Sequence, residues 1–194
     1  MQGDHPARAC VIVSNDHDAG GIAWANEQGI PTEVVDHRPF GKDRAAFEAE
    51  LSKALDRHSP DMICLAGFMR VLTPWFVNKW AGRLVNIHPS LLPKYQGLHT
   101  HQRALDAGDS EHGVTVHFVT AELDGGPAAI QAKVPVLAGD DPQTLARRVQ
   151  TQEHHIYPLA VQWFAEGRLT MDTNGSLLDG ELLPPSGHLI DTTH

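Results

Sequence analysis

Two polar side chains, the amide of Asn86 and the imidazole of His88, stand two positions apart in an otherwise apolar run that stops at Pro89. Residues two apart in a β-strand project from the same face. Both side chains therefore point to one spot at the end of a predicted strand, where open α/β sheets bind ligands. An amide and an imidazole aimed at one point can stabilise a developing oxyanion and move a proton. A structural, hydrogen-bonded Asn and His is the simpler interpretation of this tripeptide alone.

A carboxylate, Asp124, follows another predicted strand in the glycine-rich turn LDGGP at 123–127. A carboxylate in a tight loop can orient an imidazole and favour its charged form. A turn aspartate beside glycines is the plainer alternative. Each of the two segments, taken alone, is therefore compatible with catalysis and with ordinary structure.

Strands and helices must alternate to position these residues, and the hydrophobic pattern indicates that they do. Short apolar runs alternate with helical apolar stripes, which predicts an α/β domain around a parallel sheet. The predicted strands cover residues 10–14, 32–35, 62–66, 84–88, 114–119 and 130–134. Two of these runs hold Cys10 and Cys64, and their continuous apolar composition predicts burial on both faces. We expect buried thiols there and no disulfide framework.

Helix starts are marked by side chains that can cap a first turn. The predicted starts are Asp18, Asp43, Thr73 before Pro74, and Asp140 or Asp141 before Pro142. The last helix is the longest, and Pro158 should kink or interrupt it. From about residue 168, turn signals at 174–175 and 179–180 predict a short hairpin-like tail.

The composition limits the kind of protein. A chain of 194 residues that is 41% hydrophobic buries one sizeable core, so we expect a single domain over 1–194. A net charge of -9 argues against nucleic acid as a partner, because phosphate binding needs a basic face. No apolar run has membrane-spanning length and no signal peptide is evident, so we expect a cytoplasmic protein without a membrane partner. The sequence itself specifies no oligomeric state.

The 13 histidines raise the question of a metal site. His99 and His101 are two apart, and His154 and His155 are adjacent. Neither pair has a third and fourth ligand at the spacing that zinc requires. We therefore predict no metal and assign the histidines scattered polar or packing roles.

Several segments together form a more specific pattern than any one of them. They are NIHPSLLP at 86–93, GLHTH at 97–101, HFV at 117–119 and LDGGP at 123–127, extended by AGFMR at 66–70 and QTQEH at 150–154. In order and spacing the pattern resembles the phosphoribosylglycinamide formyltransferase family over most of the chain. The wider group of enzymes that use 10-formyltetrahydrofolate shares the Asn–His–Asp set. The GLHTH segment favours the glycinamide branch over the transfer-RNA and hydrolase branches.

The resemblance implies a Rossmann-like formyltransferase fold, with a mostly parallel sheet covered by helices on both faces. It implies formyl transfer from 10-formyltetrahydrofolate to the amine of phosphoribosylglycinamide in de novo purine biosynthesis, without a metal. Asn86 and protonated His88 would stabilise the oxyanion of the tetrahedral intermediate. Asp124 would hold His88 in its charged form and position a water that relays the amine proton.

The resemblance also assigns ligand-binding residues. The reduced folate would contact Arg44, Met69, Arg70, Val71, Leu72, Asn86 and Asp124. The apolar members would form walls for the pterin, and the arginines would meet the carboxylates of the folate. Gln150 and Glu153, neighbours on a helix, would face the glycinamide, with Glu153 holding its amine. Packing at a helix start and solvated polar side chains are the alternative interpretations of these residues.

The N-terminal part of the sequence departs from the family. The family begins with a buried strand and a Gly-rich loop that binds the substrate phosphate at a helix N-terminus. The present sequence reaches the second strand of the family by Cys10, so we expect the first strand and the loop to be missing and an apolar gap in the sheet. Gln96 replaces a proline that is usual in the family, which predicts a less rigid loop. Two alternative functions stay open, a hydrolase that releases formate from the same cofactor and a folate-binding pseudoenzyme.

Overall fold

A computed structural model describes residues 5–190 of the chain. The strands are β1 (Ile12–Ser14), β2 (Thr32–Val34), β3 (Ile63–Leu65), β4 (Leu84–His88), β5 (Glu111–Phe118), β6 (Ala128–Pro135), β7 (Leu169–Met171), β8 (Ser176–Leu178), β9 (Glu181–Leu182) and β10 (His188–Ile190). The helices are α1 (Gly20–Glu27), α2 (Arg44–His58), α3 (Pro74–Lys79), α4 (Thr100–Asp106) and α5 (Pro142–Ala165), with a 3-10 turn at Arg38–Phe40. Within the described part of the chain, none of these helices combines the length and the apolar character needed to cross a membrane.

Five strands form the main sheet in the spatial order β10-β6-β5-β4-β3. Strand β3 is parallel to β4 and β10 is parallel to β6, whereas β5 is antiparallel to both of its neighbours. Strands β1 and β2 pair in parallel as a separate two-stranded sheet. The predicted α/β class with a mostly parallel sheet is confirmed. In the register, Asn86 on β4 lies between Leu65 on β3 and His117 on β5.

Helices cover both faces of the main sheet. The adjacent residues Leu84 and Val85 on β4 are both fully buried, but they belong to different hydrophobic clusters. Because neighbours along a strand project to opposite faces, the two clusters lie on the two sides of the sheet. Leu145 on α5 belongs to one cluster, and Phe47 on α2 and Phe76 on α3 belong to the other.

Helix capping follows the sequence at three of the four predicted starts. The side chains of Asp43, Thr73 and Asp141 each accept a hydrogen bond from the backbone N–H three residues later. The predicted cap at Asp18 is wrong, because α1 starts after Ala19 without a side-chain cap. The carboxylate of Asp16 instead accepts a bond from the backbone N–H of Asp18, which holds this segment as a turn.

The longest helix, α5, continues through Pro158. An interruption at this proline, one of the two predicted outcomes, is therefore wrong. Proline costs one helix hydrogen bond, but Ile156 and Ala160 on either side are completely buried against the sheet. Tertiary packing along the helix thus outweighs the local preference. After α5, β7, β8 and β9 form a small antiparallel sheet that turns at the two predicted positions.

A wide cleft separates β1 from β3. It has a volume of about 950 Å³ and is lined by both strands and by side chains of α2, α3 and α5. The prediction of buried thiols is wrong, because Cys10 and Cys64 are exposed where the cleft leaves the strands uncovered. Partial desolvation nevertheless raises the pKa of the Cys64 thiol to about 11.

Candidate active site

His88 and Asp124 meet at the carboxyl end of β4. His88 Nδ1 lies 3.5 Å from Asp124 Oδ2, and only 8% and 10% of the two side chains are exposed. His88 Nε2 lies 2.9 Å from the carbonyl oxygen of Tyr95. Because a carbonyl can only accept, Nε2 is the donor in this bond. Both ring nitrogens thus face acceptors, an arrangement that accommodates an imidazolium, and the predicted proximity of His88 and Asp124 is confirmed.

Asn86 is held by a second histidine, His117 on β5. The Asn86 Nδ2 lies 3.4 Å from His117 Nε2, and His117 Nδ1 lies 2.9 Å from the carbonyl oxygen of Phe118. Since Nδ1 donates to that carbonyl, Nε2 is free to accept from the amide. Burial lowers the pKa of His117, which keeps the ring neutral in this role. His117 Nε2 also lies 3.8 Å from Asp124 Oδ1, so the four side chains form one group.

The turn that carries Asp124 is fixed by its own backbone geometry. Asp124 has a φ of 48°, in the left-handed region. Two positions later, a Cβ on Gly126 would lie 1.9 Å from the carbonyl oxygen of Phe118. Only glycine allows the turn to come so close to β5. The glycines of LDGGP therefore serve to place the Asp124 carboxylate beside His88.

The loop after β4 is tied to the same turn. The Gly97 N–H donates to Asp124 Oδ2 at 2.9 Å, and the Gln96 side chain donates to the Asp124 carbonyl oxygen at 3.3 Å. Arg103 Nη1 in turn donates to the Gln96 carbonyl oxygen at 2.7 Å. The sequence predicts a less rigid loop at Gln96, but the structure shows that its amide bridges two loops, which a proline could not do.

A buried polar network supports this loop from below. The Thr115 hydroxyl donates to the Ser90 carbonyl oxygen at 2.7 Å and accepts from the Leu92 N–H at 3.1 Å. The Gln131 amide donates to the Leu92 carbonyl oxygen at 2.8 Å. Thr115 and Gln131 are almost completely buried on β5 and β6. Buried polar groups of this kind fix a backbone that has no ladder partners of its own.

A cleft of about 90 Å³ opens beside Asn86. Five of the residues assigned to the folate line it: Arg70, Val71, Leu72, Asn86 and Asp124. The rest of the lining comes from Leu65, Phe68, His117 and residues 119–123. The other two assigned residues, Arg44 and Met69, do not line the cleft. Met69 is 75% exposed, and Arg44 donates Nη1 to the Val71 carbonyl oxygen at 3.4 Å.

Helix α5 carries both residues assigned to the glycinamide, and they differ in burial. Glu153 is half-buried, and burial raises the pKa of its carboxyl group, against smaller opposing effects of His154 and His88. Gln150 lies one turn earlier and is exposed. Of the pair, Glu153 is thus the residue whose electrostatic environment includes His88.

Three residues of the site have no predicted role: His117, Tyr95 and Phe68. His117 stands in the HFV segment, and the period of two along β5 places it across from Asn86 once the two strands are paired. That pairing is a long-range contact, which the sequence does not display. Within residues 5–190, no three residues among His, Cys, Asp and Glu are grouped so as to hold a metal ion.

Comparison with known proteins agrees with this geometry. A family model described as formyl transferase matches residues 1–161. The chain belongs to this formyl transferase family. The resemblance predicted from the sequence motifs is confirmed by relatives that carry the narrower family name. The phosphoribosylglycinamide formyltransferase of Escherichia coli is 56% identical over 181 residues, which cover 93% of this chain and 85% of the relative.

Two further formyl transferases extend the comparison. The phosphoribosylglycinamide formyltransferase of Haemophilus influenzae is 46% identical over 186 residues, or 96% of this chain and 87% of the relative. A solved structure of the phosphoribosylglycinamide formyltransferase of Coxiella burnetii superposes with a TM-score of 0.89 at 49% identity. That superposition covers 93% of this chain and 85% of the other. The Rossmann-like formyl transferase fold predicted from the sequence is therefore confirmed.

Proposed function

We propose that this enzyme transfers the formyl group of 10-formyltetrahydrofolate to the amine of phosphoribosylglycinamide, a step of purine biosynthesis. The observation that carries the proposal is the convergence of Asn86, His88 and Asp124 beside a small, partly apolar cleft, which Asn86 and Asp124 line. The names of the relatives support the choice of acceptor.

The reaction replaces one C–N bond by another. The glycinamide amine attacks the formyl carbon, and the carbonyl π electrons move onto oxygen to give a tetrahedral oxyanion. The Asn86 amide and the His88 imidazolium donate hydrogen bonds to this oxyanion. Such pre-aimed donors contribute about 2.7–4 kcal/mol each. Collapse of the intermediate expels the folate nitrogen, which takes up the proton that the amine loses.

We assign Asp124 two roles in this reaction, one towards His88 and one towards a water. Its carboxylate lies 3.5 Å from His88 Nδ1, longer than a good hydrogen bond, so that the imidazolium can turn towards a ligand without losing its counter-ion. We assign to Asp124 the positioning of a water that relays the proton from the amine to the departing nitrogen. This role needs a carboxylate that faces the reacting atoms, and Asp124 lines the cleft.

The formyl donor would lie in the cleft beside Asn86. Val71, Leu72 and Phe68 supply apolar walls for the pterin ring, and the Arg70 guanidinium meets a carboxylate of the folate. Ligand sites of this kind commonly have volumes of roughly 300–1,000 Å³, whereas this cleft has about 90 Å³. We therefore expect residues 119–123 to move outward when the folate binds, while Asp124 keeps its contacts with His88 and the Gly97 N–H.

The acceptor would approach from the side of α5. Glu153 is half-buried on α5, has His88 in its electrostatic environment, and can accept hydrogen bonds from the glycinamide amine. A neutral amine is required for attack on the formyl carbon.

An assay with and without the acceptor tests the proposal. Purified protein would be mixed with 10-formyltetrahydrofolate, and the release of tetrahydrofolate would be followed spectroscopically. We expect release only when phosphoribosylglycinamide is present, together with formylated product. Release of formate in the absence of the acceptor would identify a hydrolase. Folate binding without turnover would identify a pseudoenzyme. Either result would overturn the proposal.

A further inference from the structure

A glutamate on the buried face of α2 has no explanation in the packing of the core. Glu48 is only 1% exposed and stands between the core residues Phe47 and Leu51. A carboxylate buried in this way is costly unless its oxygens are hydrogen-bonded. Both oxygens are satisfied by one residue, Thr73. The Thr73 N–H donates to Glu48 Oε1 at 2.8 Å, and the Thr73 hydroxyl donates to Oε2.

The contact between Glu48 and Thr73 is one of three contacts that α2 makes with residues 70–73, the segment that leads into α3. Arg44, Phe47 and Glu48 are spaced i, i+3 and i+4, so they lie on one face of the helix. Arg44 donates to the Val71 carbonyl oxygen at 3.4 Å. The Arg70 guanidinium lies 5.2 Å from the centre of the Phe47 ring. The first turns of α2 thereby hold the backbone or side chains of residues 70, 71 and 73.

Residues 70–72 of this segment form one wall of the small cleft beside Asn86. Arg70, Val71 and Leu72 line it directly, and Thr73 ends the segment by capping α3. Residues 66–73 have no strand or helix ladder of their own. Their position therefore depends on contacts made by neighbouring elements, and Glu48 provides the two bonds at the point where the segment enters α3.

We propose that Glu48 is a positioning residue for the formyl-donor site: through Thr73 it fixes the 70–72 wall of the cleft before the folate arrives. The inference rests on the proposed function, because it takes the cleft to be the folate site. When the wall is already ordered, folate binding does not have to offset the conformational entropy that is lost in ordering it. Asn86, His88 and Asp124 lie on β4 and on the turn after β5, so the reacting groups stay in place when Glu48 is lost.

Two substitutions at Glu48 separate positioning from simple stability. Glu48→Ala removes both acceptors, and Glu48→Gln keeps a side chain of the same shape that accepts from the Thr73 N–H and donates to the Thr73 hydroxyl. For Glu48→Ala we expect the KM for 10-formyltetrahydrofolate to rise roughly tenfold, the effect of losing hydrogen bonds to a charged group. We expect kcat and the KM for the amine to stay within twofold. Glu48→Gln should restore most of the folate affinity.

The matched control is a variant that removes a helix cap at a residue outside the lining of the cleft beside Asn86. Asp141→Ala removes the N-cap of α5, whose side chain accepts from the Thr144 N–H at 2.7 Å, and so lowers stability without touching the 70–73 segment. We expect a lower melting temperature and an unchanged KM. If Glu48→Ala lowers the melting temperature and leaves the folate KM unchanged, Glu48 is structural only and the inference is wrong.

A pair of substitutions at Thr73 covers the case in which Glu48→Ala does not fold. Thr73→Val keeps the side-chain shape but loses the hydroxyl, and Thr73→Ser keeps the hydroxyl. We expect a raised folate KM for the first and a normal one for the second. Equal KM values for both would overturn the inference. An inactive wild-type protein would contradict the proposed function itself, whereas an active wild type with normal variants contradicts only the role of Glu48.

Discussion

At the scale of single residues, three of the four side chains of the site are held by contacts outside the group, and Asn86 is held within it by His117. His88 donates to the Tyr95 carbonyl oxygen, and His117 donates to that of Phe118. Asp124 accepts from the Gly97 N–H. That Asn86 and His88 share one face of β4 can be predicted from the sequence, because the period of two in a strand is local information. His117 and Glu48 act through partners 31 and 25 positions away, and such contacts leave no local signal.

In the proposed mechanism His88 acts on the oxyanion rather than on the bound folate, which gives a first prediction. His88→Ala should lower kcat by about 10²–10⁴, the usual contribution of a general acid or oxyanion donor, because the interaction forms only in the transition state. The dissociation constant of tetrahydrofolate, measured by calorimetry, should change less than twofold. His155→Ala, an exposed position on α5, is the control for both measurements. A parallel loss of folate affinity would show that His88 shapes the cleft instead.

A buried histidine outside the catalytic group gives a second prediction. His112 is 1% exposed, and burial, reinforced by His101, lowers its pKa to about 4. The folded state thus prefers neutral His112, whereas the unfolded chain protonates it near pH 6.5. The resulting stability is complete above about pH 6.5 and is lost as the pH falls towards 4. The full contribution of His112 to the free energy of unfolding is about 3 kcal/mol.

Urea unfolding at several pH values would measure this loss. The free energy of unfolding should fall between pH 7 and pH 4, and His112→Gln should flatten that dependence. His101 Nδ1 lies 3.1 Å from His112 Nε2 at the start of α4, so the two rings can be protonated together only by placing two cations side by side. A pH dependence that survives His112→Gln unchanged would assign the effect to another group.

At the scale of elements, the sequence predicts those whose signals are strong and local. The bounds of β4 are predicted without error, because an apolar run ends at a proline. The helix α4 is not predicted, since its N-cap, His99, is left-handed and makes no side-chain capping bond. Its first residue, Thr100, is instead held by burial in the folded protein. Pro158 does not end α5, because the burial of Ile156 and Ala160 outweighs the free-energy cost of the helix hydrogen bond that the proline removes.

The turn after β5 gives a prediction with an adjacent control. A Cβ on Gly126 would lie 1.9 Å from the Phe118 carbonyl oxygen, which is backbone and cannot yield. On Gly125 the nearest atoms belong to the flexible side chain of Glu122. We expect Gly126→Ala to move Asp124 and to lower kcat by at least about tenfold, because misplaced catalytic groups lose their orientation. Gly125→Ala should stay close to wild type in steady-state assays.

Comparable activities of the two variants would show that the turn can relax. Melting curves of both proteins would complete the comparison. A lower melting temperature for Gly126→Ala alone is the expected result, because the displaced turn also breaks the pairing of the Phe118 N–H with the Pro127 carbonyl oxygen.

At the scale of the whole molecule, the cleft between β1 and β3 divides the structure into unequal parts. The main sheet has the eight-residue strands β5 and β6, which are buried along nearly their whole length and covered by α5. The sheet of β1 and β2 has only three residues in each strand, none of them fully buried. Sequence patterns predict the strands of both sheets, but they predict neither the separation of β1 and β2 from the main sheet nor how much more apolar surface the main sheet buries.

This asymmetry predicts two levels of local stability, which hydrogen exchange can measure. A pair of short strands is marginal by itself, and local opening follows the number of buried contacts that must break. The amides of Ile12–Ser14 and Thr32–Val34 should therefore exchange through local opening, at rates independent of the global unfolding equilibrium. The amides of Val114, Val116 and Phe118 should exchange only with global unfolding, and low urea concentrations should accelerate them far more than the β1 and β2 amides. Mass spectrometry of peptides from the two sheets would report both rates in one experiment. Equal protection of both sheets, with the same urea dependence, would show that β1 and β2 unfold together with the main sheet in spite of the cleft.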